Sequence, residues 1–168
     1  ALAAQHAFTR RALAAMSEKA DAKQNIFFSP WSIATALDMA RAGSRREALA
    51  ALRETLSYPA GVGSMESQLD AMRSTVLASA TGADAGFIFT QANRMWPSKG
   101  LTIRGEYAAT LRDRFAADSA AIDFANKAEA ADTINAWVNT NTRGMIPTLV
   151  TSDAIPDQGL ILTNAVYF

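Results

Sequence analysis

The sequence predicts a mixed α+β fold, in which helices are interrupted by a few strands without the regular alternation of a doubly wound sheet. Three observations predict it. Apolar residues recur at helical spacing in several separate stretches, and a few short runs are rich in aromatic and β-branched residues. No internal repeat, low-complexity tail or Pro/Ser linker divides the chain.

In chain order, residues 3–19 form an amphipathic helix, with Phe8, Ala12, Ala15 and Met16 on one face. Ile26-Phe27-Phe28 reads as a short strand. Ser29 and Pro30 then open a helix, because a serine hydroxyl accepts an orphan backbone N–H and proline suits the first helical position. From Trp31 to Ala40 only Ser32, Thr35 and Asp38 are polar, so this is a core helix ending near Gly43. Leu49, Leu52 and Leu56 mark a shorter helix that Pro59 stops. Gly61-Val-Gly63 is a turn, and Met65, Leu69, Met72 and Val76 carry the next helix up to Gly82–Gly86.

Phe87 to Trp96 reads as a strand, followed by a turn at Pro97–Gly100. Ile103, Tyr107, Leu111 and Phe115 define another helix, and the alternation of Ala120, Ile122 and Phe124 a short strand. Asn126 with Glu129 is a variant capping box, opening a helix that packs Ala130, Ile134, Trp137 and Val138 on one side. Asn135, Asn139 and Asn141 are expected on its wet side, with Gly144 as the stop. Leu160–Phe168 is an almost continuous apolar run, of the kind found in a strand covered on both faces.

Composition narrows the chemistry. Lys plus Arg and Asp plus Glu both number 16, which argues against a nucleic-acid partner. No run approaches the roughly 20 apolar residues of a membrane span, and charges interrupt residues 1–20 where a signal peptide would be apolar. With no cysteine and His6 as the only histidine, there is no disulfide framework, no thiolate nucleophile and no multi-histidine metal site. A Ser–His–Asp triad would have to use His6, and no Gly-x-Ser-x-Gly elbow is present. Asp84 and Asp123 show no ligand spacing, and Gly61-Val-Gly63 lacks the third glycine of a phosphate loop. No enzyme, cofactor or metal is expected.

Three segments together resemble the serpin family, in its order and at about its spacing. Asn25-Ile-Phe-Phe-Ser-Pro-Trp-Ser-Ile33, with Leu37 and Gly43 behind it, is similar to the segment that enters the serpin core helix. Ile134-Asn-x-Trp-Val138, then Thr142-x-Gly144-x-Ile146, resembles the helix lying across the main sheet. Leu160-Ile-Leu-Thr-Asn-Ala-Val-Tyr-Phe168 resembles a central strand of that sheet, and Ala92-Asn93-Arg94 fits the strand before the fifth helix. One departure is Ala48, where serpins usually carry a threonine.

The resemblance implies that residues 1–168 are the N-terminal part of a single serpin domain, with helices plus part of the central sheet, truncated before the reactive-centre loop. It implies suicide inhibition of a serine or cysteine endopeptidase, in which the cleaved loop inserts as a new strand. The alternatives are a non-inhibitory serpin acting as carrier, chaperone or storage protein, and an unrelated α+β interaction domain. Ser29, Pro30, Ser32 and Asn164 match the shutter where the strands part; on their own, Ser29 reads as a helix cap and Asn164 as a backbone partner. Asn164 is expected to bond toward the Ser29/Ser32 helix start. Ile134, Asn135, Trp137, Val138, Thr142 and Gly144 match the sheet-covering helix, where plain core packing is the simpler reading of the apolar stripe.

The resemblance further implies a secreted, extracellular protein that is monomeric at full length, with an intracellular one also compatible with the absence of cysteine. Heparin binding is not expected, since residues 60–85 contain only Arg73 as a base; Arg41, Arg45, Arg46 and Arg53 read as a solvated basic face. The segment by itself, without a bait loop, should inhibit nothing, and its last strand should present an unpaired edge.

Overall fold

The structure, a computed structural model, describes residues 2–21, 23, 25–59, 63–79 and 89–167. Two compact units, 1–74 and 75–168, make up the chain.

The first unit is helical. Helix α1 spans Leu2–Ser17 and buries Ala4 and Phe8. Helix α2 spans Pro30–Gly43, α3 spans Arg46–Thr55, and α4 spans Gly63–Ser79, running into the second unit. Ala4, Phe8, Ala34, Leu56, Tyr58 and Leu69 form its apolar core, with Ala12, Ile33 and Leu37 packed against it.

Expectation and structure part company at two places here. Residues 26–28 belong to no helix or strand among the described residues, and Phe27 is 92% exposed. The apolar run has strand character, but a strand exists only where a neighbour satisfies its N–H and C=O groups. The second concerns α2, whose buried face is Ala34, Thr35, Asp38, Met39 and Arg41, so that polar residues share the core side. They are tolerated because they are paired: Asp38 Oδ1 accepts from Arg41 Nε at 2.6 Å, Asp38 Oδ2 from Arg73 Nη2, and Asp70 from Arg73 Nη1 at 2.8 Å. Arg41 therefore leaves the expected solvated basic face and belongs to a buried ion network.

The second unit holds a three-stranded sheet of order β2-β1-β3. Strand β1 is Thr90–Pro97, β2 is Ala117–Ser119 and β3 is Leu160–Tyr167. Strand β1 pairs antiparallel with β3, matching Asn93 to Asn164, Arg94 to Thr163 and Trp96 to Ile161, and parallel with β2. Helix α5 spans Gly105–Phe115 and α6 spans Lys127–Asn141, followed by a short 3-10 turn at Ser152–Ala154.

The strand expected at 120–124 lies earlier, at 117–119. Backbone bonds from Ala120 N to Met95 O and Ile122 N to Pro97 O, both 3.0 Å, continue the contact only as far as a bridge between Ser98 and Ile122. Ile122 and Phe124 are both buried, because they fill the core against α6. The expected strand from Phe87 begins at Thr90, with 87 and 88 outside the described residues. Strand β3 is an edge of this sheet, and only Thr163 and Ala165 are buried in it. A strand covered on both faces was expected; Thr163 and Ala165 lie on one face, the one on which α6 packs, and the residues of the other face are only partly buried. Phe168, Gly61, Val62, Asp84 and the closing loop at 82–86 lie outside the described residues.

Candidate functional site

Side chains of paired residues point to the same face of a sheet, and successive residues to opposite faces. Arg94 and Trp96 therefore share a face with Thr163 and Ile161, whereas Asn93 shares the other with Asn164. Helix α6 covers the first. Its residues Ala130, Ala131, Ile134 and Val138 form one core with Trp96, Ile122, Phe124 and Ile155, and Trp137, Ile146, Val150 and Ile161 pack against it.

The start of α6 is set locally. Asn126 Oδ1 accepts from Glu129 N at 3.4 Å, and its Nδ2 donates to Glu129 Oε2 at 2.8 Å, a reciprocal cap closed through the side-chain amide. At the other end Thr142, fully buried, donates from Oγ1 to Val138 O at 2.8 Å and accepts from Ile146 N at 3.1 Å. Gly144 adopts φ +84° and donates its N–H to Asn139 O at 2.8 Å. A left-handed residue at this stop favours glycine.

Two residues of this helix differ from their expected roles. Asn135 is not on a wet face: its Oδ1 accepts from Leu149 N (2.8 Å) and Val150 N (3.0 Å), and its Nδ2 donates to Val150 O (2.8 Å). It clamps the segment that leads from α6 back to β3. Asn141 likewise donates to Trp137 O at 2.8 Å. Trp137 is half-buried, meeting Trp96 edge-on with centroids 5.7 Å apart. The Arg94 guanidinium lies 4.8 Å from the Trp96 ring and 5.8 Å from Trp137, while Arg94 Nη2 pairs with Asp118 at 2.8 Å. Trp96 in turn donates its indole N–H to Thr163 at 3.0 Å. The covering helix thus rests on an aromatic and cationic stack that joins it to β1 and, through Thr163, to β3.

On the opposite face Asn164 donates from Nδ2 to Asn93 Oδ1 at 2.6 Å, and Asn93 donates to Phe115 O at 2.6 Å. Asn164 Oδ1 is buried and has no hydrogen-bond partner among the described residues. A buried acceptor left open is costly and uncommon. In the other unit, Ser29 caps α2 by accepting from Ser32 N at 3.2 Å, with Pro30 at the first helical position. The expected bond between Asn164 and this helix start would join residues of different units; within its own unit the Asn164 amide donates to Asn93.

Sequence reasoning did not find Asn93, Arg94, Trp96 or Thr163 as members of this site. Arg94 and Trp96 carried a period-2 signal, but their partners depend on strand register. Among the described residues no group of acidic or histidine side chains could hold a metal ion, His6 is exposed on α1, and no helix is long and apolar enough to cross a membrane.

In the second unit one helix, α6, covers a face of the sheet. Residues 3–168 match the family model for serpins, serine protease inhibitors. The chain belongs to the serpin family. It is 34% identical over 152 residues to an uncharacterized serpin-like protein of Thermococcus kodakarensis, covering 90% of this chain and 35% of that one. The human leukocyte elastase inhibitor is 32% identical over 146 residues, covering 86% and 37%. The solved structure of a cleaved Serpin 42Da superposes with a TM-score of 0.81 at 29% identity, covering 97% of this chain and 42% of that one. The chain therefore spans well under half the length of these relatives.

Proposed function

We propose that this chain acts as the N-terminal part of a longer serpin that inhibits a serine or cysteine endopeptidase by loop insertion. Serpins as a family are protease inhibitors rather than enzymes, and one relative is named as an inhibitor of leukocyte elastase. The observation that carries the reading is the open acceptor on Asn164. Its amide donates to Asn93, and among the described residues its carbonyl is buried without a partner and its strand ends the sheet order.

On this reading the sheet is built to receive a further strand, and Ser29, Pro30, Ser32 and Asn164 form the gate at which it opens. Ile134, Trp137 and Val138 are the feet of the helix that must shift, Asn135 and Thr142 hold its exit, and Gly144 supplies the bend. An inserted strand completes the backbone pairing that an edge leaves open, and this contributes to the energy released after loop cleavage. The target reaches the protein through a reactive loop outside these residues. On this reading the protein works outside the cell or, as an alternative, within it, as a monomer without heparin or a cofactor.

The test is thermal. Limited cleavage of the full-length protein in its reactive loop should raise its midpoint of unfolding while the two pieces stay associated. A midpoint that is unchanged or lower after cleavage would contradict insertion.

A further inference from the structure

One face of α3 has no role in the reading above. Arg46, Leu49, Ala50 and Arg53 stand at i, i+3, i+4 and i+7, a continuous stripe of the helix. With Glu54, Tyr58 and Pro59 they line an open groove of about 510 Å³. Helix α3 itself buries none of its residues. The two arginines stand two helical turns apart, about 10 Å along the axis, with Leu49 and Ala50 between them. Among the described residues neither guanidinium has an ion-pair or hydrogen-bond partner. Glu54 is the sole acid of the lining, so the groove carries an excess of positive charge around an apolar floor.

We propose that this groove docks an acidic, amphipathic peptide segment of a partner protein. Carboxylates on either side of a leucine- or phenylalanine-like residue would meet Arg46 and Arg53, since a guanidinium matches a carboxylate in a two-bond fork. The apolar side chain would cover Leu49, Ala50 and Pro59 beside the Tyr58 ring. Charge complementarity selects the anionic partner, and the apolar floor selects a peptide over a sulfated polysaccharide, which has no side chain to fill it. The proposal is independent of protease inhibition.

The experiment titrates the purified full-length protein against a fluorescein-labelled Glu-Glu-Leu-Phe-Glu-Glu peptide, read by polarisation. Saturable binding is expected that weakens at least fivefold between 25 and 250 mM salt, because rim charge pairs are screened. The Gln-Gln-Leu-Phe-Gln-Gln and Glu-Glu-Ser-Ser-Glu-Glu peptides should each bind at least tenfold more weakly. Arg46→Gln with Arg53→Gln should lose a similar factor, and Arg10→Glu with Arg104→Glu should change little. No saturation by 1 mM, equal binding of the glutamine peptide, or a heparin hexasaccharide that binds more tightly than the acidic peptide would each overturn the assignment. The two control peptides keep the test decisive even if the arginine variant fails to fold.

Discussion

Asp38 is a carboxylate with no solvent exposure, and its charge is tolerated because Arg41 and Arg73 each hold one oxygen. Removing one member of such a group leaves uncompensated buried charges, which is costlier than the group's own net contribution. Asp38→Ala should lower stability by about 3–5 kcal/mol in urea unfolding, and a loss below 1 kcal/mol would show that the two arginines reach solvent instead. Beside them Tyr58 is buried, and burial, reinforced by the Asp38 carboxylate, pushes its phenol well above its ordinary value near 10. The folded chain then keeps the proton after the unfolded chain has lost it, so stability falls as pH rises above 10. The slope approaches about 1.4 kcal/mol per pH unit above pH 11, and Tyr58→Phe should reduce it, leaving the part that the half-buried Tyr107 contributes. An unchanged slope in that variant would assign the alkaline loss to another group.

Helix α6 is held both along its packed face and at its exit. Its core face packs on the sheet, while Asn135 fixes the returning segment through three hydrogen bonds to backbone. Asn135→Ala should cost about 1–3 kcal/mol. Asn135→Asp, which keeps the oxygen accepting from Leu149 and Val150 but loses the donor to Val150, should cost less. Equal losses measured by urea midpoints would mean that the donated bond alone holds the segment.

What was legible at this scale was local. Ser29 with Pro30, and Asn126 with Glu129, are contacts within three residues, so spacing alone reveals them. Asn164 on Asn93 joins residues 71 apart, and Arg73 on Asp38 residues 35 apart. Such pairs depend on register and helix packing, which single-chain periodicity does not encode. The run at 26–28 misled for the same reason, because apolar composition alone does not supply the neighbouring strand that a strand needs, and it pairs with none among the described residues.

At the scale of the whole molecule, family membership rests on a match across residues 3–168, and the proposed mechanism would require the sheet to admit a further strand. The fold class and the covering helix were readable from three linked motifs. The buried ion network and the Arg94–Trp96–Trp137 stack were not, because both are assembled from separate elements. The central claim is loop insertion that traps a protease. Its most direct measurement is incubation of the full-length protein with a panel of serine endopeptidases, elastase-type enzymes included, followed by denaturing electrophoresis, with the 168-residue segment run in parallel. The account predicts a covalent one-to-one complex that survives denaturation for at least one protease with the full-length protein, and none with the segment. Cleavage of the full-length protein as a simple substrate by every protease that attacks its loop, with no such complex, would contradict it.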